Sequence, residues 1–200
     1  MRTTVSLTLW AWLLAFAIGV TVAAFRVSPV PPLRWAGTVY VELVRNCPLT
    51  VLFVLFFFGL PEAGLVYPRF ASAVIVLGVY TGAFVAEVIR AGINTVARGQ
   101  AEAARSLGLT FPQVLGSVIM PQALRSVVAP LGNVFIALVK NTSIAYTISV
   151  VELTGTAQRL AVESAEFFPA FLGAAVGYLL LTLPSGWAVG AIERRVAVRR

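Results

Sequence analysis

The chain has 200 residues, of which 59% are hydrophobic and 12% charged, with a formal net charge of +7. Soluble domains carry about 45–50% apolar and about 25% charged residues, so a soluble globular domain and a disordered chain are both excluded; basic charge diluted among long apolar runs points to a membrane before nucleic acid. There is no His, and all eight acids are Glu, so no His-based catalytic triad or His-containing zinc site can be built from this chain alone.

The first apolar run covers residues 5–25, close to the ~20 residues that cross a bilayer core. A cleaved signal peptide is the competing reading, but the run is too long and no clear small-residue cleavage site precedes the stretch SPVPP. That stretch, with Arg26 and Arg34, reads as a loop. Residues 35–46 are mixed in character and helical. Pro48 precedes LTVLFVLFFFGL, so a second span over 45–60 is expected in a helix that starts before Pro48 and bends there. Cys47 is a small apolar packing residue; a single Cys allows no internal disulfide. Phe53, Phe56, Phe57 and Phe58 read as a lipid-facing or packing cluster rather than a ligand box. The loop PEAGLVYP leads to a third span over 70–92. Residues 94–110 are polar and cannot span. A fourth helix starts near Pro112, passes Pro121 and Pro130, and spans 120–140. The single Lys, Lys140, is followed by Asn141, so the chain has no phosphate loop of the form GxxxxGK[ST]. Polar residues recur to Glu166, the fifth span covers 167–192, and the basic tail ERRVAVRR ends the chain. The expectation is one all-α membrane domain over 1–200 with about five transmembrane helices.

Basic residues set the orientation of such a chain. With the N-terminus outside and the C-terminus in the cytoplasm, eleven of the fifteen fall inside: Arg26, Arg34, Arg45, Arg90, Arg98, Arg105, Arg125, Arg194, Arg195, Arg199 and Arg200. Arg2, Arg69, Lys140 and Arg159 fall outside.

The segment 94–121 is the most informative. Gly99 is expected to break the preceding helix, and residues 100–107 to form a short helix of strong helix formers. Glu102 in its first turn and Arg105 near its end suit the helix dipole. Gly108 is placed to terminate it, and Thr110 with Gln113 has the spacing of a capping box for the next helix, with Pro112 in the first turn.

Glu102, Ala103, Ala104 and Gly108, followed by Val118, Met120 and Pro121, resemble the EAA motif of ABC importer permeases: EAA, three residues, Gly, nine residues, then I-x-L-P. Val118 and Met120 replace Ile and Leu with apolar equivalents. Residues 41–61, 81–109 and 120–153 resemble stretches of the polar amino-acid permeases, so the likeness covers nearly the whole chain. The departures are Asn46 and Cys47 for Gly-Thr, Asn141 for Asp, and Val134 for Gln.

The resemblance implies the type I ABC importer permease fold in a bacterial or archaeal cytoplasmic membrane, and a non-catalytic subunit that acts as a dimer, homo- or heteromeric. Each subunit would dock on a separate ABC ATPase that holds ATP and magnesium, and a periplasmic or lipid-anchored solute-binding protein would deliver a polar amino acid. No cofactor or metal is expected on this chain, and no nucleic acid. Gly99, Gln100, Glu102, Ala103, Ala104, Arg105 and Gly108 are the implied ATPase-coupling residues. Polar groups inside the bilayer are the candidates for the substrate path: Glu87, Asn133, Asn141, Thr142 and Ser143. Glu87 has two readings, an i,i+3 ion pair with Arg90 or a gate or substrate role; Glu42 and Arg45 repeat the spacing. The Asn, Thr and Ser groups either contact cargo or bridge helices. Glu152 is expected in an outer loop or helix. The alternatives in function are an ABC permease for another small solute, and an ion-coupled carrier or channel.

Overall fold

The computed structural model describes residues 1–196; Arg199 and Arg200 of the basic tail lie outside the described residues. Helices α1 (Arg2–Val27) and α4 (Arg69–Asn94) have 26 residues each. That is ~39 Å of rise, enough for the ~30 Å hydrocarbon core. They pack along their length, and small residues bring them close. A Cβ on Gly78 would lie 2.6 Å from Leu14 Cδ2, and one on Gly82 3.0 Å from Ile18 Cγ2. Since these contacts advance together along both chains, α1 and α4 are parallel. In lipid, where apolar burial gives no drive to associate, close approach at small residues supplies the contact.

Between them the chain forms α2 (Pro31–Asn46) and α3 (Leu49–Val54), the latter prolonged by a widened turn, Leu55–Gly59, and a tight one, Leu60–Ala63. The expected bend at Pro48 is a complete break: the axes of Pro31–Asn46 and Leu49–Ala63 differ by 103°. Pro48 has an extended backbone and caps α3, so its ring ends one helix and pre-sets the next. Gly37 and Val41 on one side of α2 are buried, while Arg34, Trp35 and Leu43 are exposed. Residues 49–63 alone rise only ~22 Å, short of a full crossing.

After α4 comes the short helix α5 (Arg98–Ser106), then α6 (Phe111–Ile148), 38 residues long. Residues Val114–Ile119 of α6 are wound as a π-helix that ends at Met120, the residue before Pro121. A proline ring crowds the carbonyl four residues back, and the wider turn relieves that crowding. Pro130 lies further inside the same helix. Helix α7 (Leu153–Ser164) leads to α8 (Phe167–Val196). Gly92 of α4 seats against Val127 of α6, and Gly132 of α6 against Val189 of α8; neither leaves room for a Cβ.

Leu7 and Ala11 of α1, Leu49 and Phe53 of α3, Val76 and Leu77 of α4 and Leu138 of α6 form the main buried cluster. Phe53 is thus core, whereas Phe58 is exposed. Among the described residues there is no strand, and four helices are long and apolar enough to cross a membrane, or five with the broken pair counted as one span. The fold is all-α, and its exposed apolar helices make it a multi-pass membrane protein.

Candidate functional site

The segment between α4 and α6 is built by local rules. Helix α4 ends at Asn94, and the chain turns through Thr95. Contrary to expectation, Gly99 does not break a helix: α5 starts at Arg98, so Gly99 sits in its first turn. Glu102 consequently falls beyond the first turn, where the dipole field has decayed. Arg105 does lie in the last turn. Gly108 ends the helix with φ +82°, a conformation that costs a residue with a Cβ. Its N–H donates to the Arg105 carbonyl at 2.9 Å, and the Leu109 N–H to the Ala104 carbonyl at 3.3 Å. This pair is the Schellman closure. Two residues on, Gln113 Oε1 accepts from the Thr110 N–H at 2.8 Å and restarts the chain as α6.

Of the seven residues singled out for coupling, Gly99, Gln100, Glu102, Ala103, Arg105 and Gly108 are exposed. Ala104 is buried, on the side where α5 packs against the first turns of α6. It anchors the helix rather than facing outward. Leu107 and Phe111, 83% and 71% exposed, flank the glycine stop. Their exposure depends on the reversal at Gly108, so helical periodicity does not mark them.

Glu87 of α4 is the second feature. Arg90 Nη2 reaches its Oε1 at 2.5 Å, which is the expected i,i+3 pair. Arg26 Nη1, from the last turn of α1, reaches Oε2 at 2.5 Å, and Arg45 Nη1, from the last turn of α2, reaches it at 3.3 Å. Three helices therefore meet on one carboxylate. The expected Glu42–Arg45 pair does not form: Glu42 instead accepts from Asn46 Nδ2 at 3.3 Å. Arg26, which the sequence places in a loop, is 8% exposed in its side chain, and its stem fits where Gly37 has no side chain.

Thr81 and Phe84 of α4 and Asn141 of α6 help enclose a cavity of about 200 Å³ between these helices. Its position places it beside the Glu87 cluster, since Phe84 is one helical turn from Glu87. Of the other polar candidates, Asn133 is exposed and Ser143 half-buried. Thr142 is buried, with its hydroxyl donating to the Val139 carbonyl at 2.6 Å. A larger open groove of about 670 Å³, walled by Phe56, Phe57, Phe58, Tyr67 and Pro68, lies at the other end of α4. Arg69 also lines that groove; the smaller cavity differs in lying between two spanning helices, with Phe84 joining it to the Glu87 cluster. Tyr80 and Phe84 share the Glu87 face at i−7 and i−3, a periodic signal that can be read from sequence.

Glu152, expected in an outer loop or helix, heads the short helix α7 between α6 and α8. It is 1% exposed and caps α7, accepting from the N–H groups of Thr154 at 2.9 Å and Gly155 at 2.8 Å and from the Tyr178 hydroxyl at 2.5 Å. Among the described residues no three His, Cys, Asp or Glu side chains gather into a metal-ligating group.

A short helix, a glycine stop and a capped restart thus lie between two spanning helices of an all-α, multi-pass membrane protein. The chain belongs to the family of binding-protein-dependent transport system inner membrane components, whose model matches residues 15–198. It is 43% identical over 182 residues to the probable glutamine ABC transporter permease protein GlnM of Bacillus subtilis, covering 91% of this chain and 84% of that one. It is also 43% identical over 210 residues to the glutamate transport system permease protein GluC of Corynebacterium glutamicum, with 98% and 92% covered. A solved amino acid ABC transporter with histidines superposes with a TM-score of 0.93 at 34% identity, over 98% of this chain and 91% of that one. An inward-facing MetNI methionine ABC transporter, at 20% identity and a TM-score of 0.83, shares the fold. This is the type I ABC importer permease fold, and the chain is a non-catalytic membrane subunit.

Proposed function

We propose that this chain is the permease subunit of an ATP-driven importer of polar amino acids, docked through α5 on a separate ATPase and supplied by a solute-binding protein. The observation that carries the reading is α5 itself. It is a nine-residue helix, closed by the Schellman turn at Gly108 and anchored by Ala104, with the polar faces of Gln100, Glu102 and Arg105 outward. A short helix stopped at both ends moves as one piece, so a push on it is transmitted to α4 and α6. Lacking a phosphate loop, the chain takes its energy from the ATPase partner, which holds ATP and magnesium. The relatives' names support amino acids as cargo.

The proposed assembly has two permease chains, identical or homologous. The N-terminus lies outside and the C-terminus in the cytoplasm of a bacterial or archaeal membrane, which puts α5 inside. ATP-driven closure of the ATPase pair shifts α5 and favours a state whose spans open outward. That requires contacts that differ between the two states. Asn141, with Thr81 and Phe84, lies on the path.

Reconstitution with the ATPase and binding protein tests this. Glu102→Lys and Gly108→Asp are expected to insert normally but to abolish ATP-dependent uptake of glutamine. Full uptake and ATPase association in both variants would remove α5 from the coupling role. Normal coupling with no amino acid transported would point to another small solute.

A further inference from the structure

None of the side chains that line the α4–α6 cavity carries a charge. A charged group arriving there must find its partner at the rim. On the side towards α5 the rim is Phe84, and the guanidinium carbon of Arg45 lies 5.3 Å from the centre of that ring. This is cation–π range, and the contact holds the guanidinium beside a ring that lines the cavity.

The charge of the neighbouring cluster is not balanced. Three guanidinium groups share the single carboxylate of Glu87. Arg26 and Arg90 each hold an oxygen at 2.5 Å, while Arg45 reaches an oxygen already taken, at 3.3 Å. Arg45 is 37% exposed in its side chain and Arg90 34%, against 8% for Arg26, so it is the longer contact that sets Arg45 apart. A guanidinium has five N–H donors, and those of Arg45 are largely uncommitted. Its planar fork matches a carboxylate in two parallel hydrogen bonds.

We propose that Arg45 is the carboxylate receptor of this cavity: the α-carboxylate of an amino acid lodged between α4 and α6 takes Arg45 from Glu87, which keeps Arg26 and Arg90. The inference rests on the amino-acid reading above. It makes Arg45 a residue that separates amino acids from analogues lacking the acid. It also lets cargo in the cavity loosen α2 from α4, because the Arg45 contact is one of the ties between them.

The test uses the permease–ATPase complex in lipid nanodiscs, without the binding protein. Equilibrium binding of radiolabelled glutamine is measured against glutaminamide, which keeps the side chain and replaces the carboxylate with a carboxamide. The wild type is expected to prefer glutamine by roughly tenfold or more. Arg45→Gln should bring the ratio to about one, and Arg45→Lys, which keeps the charge but loses the fork, should retain part of the preference. An undiminished ratio in Arg45→Gln overturns the proposal, and so does an equal loss of both ligands. If Arg45→Gln does not assemble, Phe84→Leu removes the ring that holds the guanidinium and should lower the preference about threefold; no change there overturns the proposal as well. A wild type that binds no amino acid removes the amino-acid reading itself, which the variants' behaviour alone does not.

Discussion

Glu87 and Glu152 are both drawn out of water, and their surroundings answer the charge in different ways. Glu87 is met by guanidinium groups from three helices, two of them distant in the chain. Glu152 is met by two amides of the helix it caps and by the hydroxyl of Tyr178 on α8. The first arrangement joins α1, α2 and α4, so its loss is felt across the molecule. The second shapes the start of α7 and fastens it to one neighbour. Backbone dipoles neutralise a carboxylate without adding charge, whereas the Glu87 cluster leaves an excess of cations that can be offered to another anion.

Glu87→Gln should have the largest effect. It leaves Arg26 buried without a counter-charge, a loss of about 3 kcal/mol, read as a lowered thermal midpoint of the purified permease. Pairing it with Arg26→Gln should recover part of that loss; a double variant as unstable as the sum of the singles would mean that the contact contributes nothing. Glu152→Ala comes next, at about 2 kcal/mol, from one lost helix cap and one lost hydrogen bond of the Tyr178 hydroxyl, which keeps Thr154 Oγ1 at 3.1 Å. Hydrogen exchange should locate the change, with faster exchange at Thr154 and Gly155 and little change in α4. Equal acceleration along α4 would erase the contrast between the two sites. Tyr178→Phe should be the mildest, about 1 kcal/mol, because the two amides still hold the carboxylate. Raising salt from about 0.1 M to 1 M shortens the screening length from ~10 Å to ~3 Å. It should shrink the Glu87→Gln effect only by the share carried by the more exposed Arg45 and Arg90, and leave the Glu152→Ala effect in place.

What could be read from the sequence follows the range of each interaction. The Gly108 stop and the Thr110–Gln113 cap were legible because each is settled within a few residues. So was Glu87–Arg90, a neighbour pair on one helix face. Arg26 was not, because its partner lies 61 residues away and its burial depends on the missing side chain of Gly37. The same spacing rule assigns Arg45 to Glu42, and there it fails: Arg45 lies over the Phe84 ring and 3.3 Å from Glu87, contacts set by the packing of α2 on α4. Gly99 breaks no helix because turn residues 95–97 end α4 before it, and a glycine near a helix start costs little. Glu152 had a local signature, since a polar residue ahead of a helical run is a cap. Its burial reflects α1 and α8 closing over it, with Thr4 Oγ1 accepting from the Leu153 N–H at 3.1 Å.

Helix α8 has only 6% of its most apolar window buried, against 56% for α4. Its remaining sides have no protein neighbour among the described residues of the single chain, and lipid or a second permease chain covers them. The surroundings are therefore a structural wall for this helix in a way that they are not for α4. Transfer from bilayer to micelle loosens the part of that wall that is lipid. Thermal and exchange measurements in detergent should then find the molecule divided, with the α1–α4 pair keeping its protein-set rigidity while α8 takes on the order of whatever surrounds it.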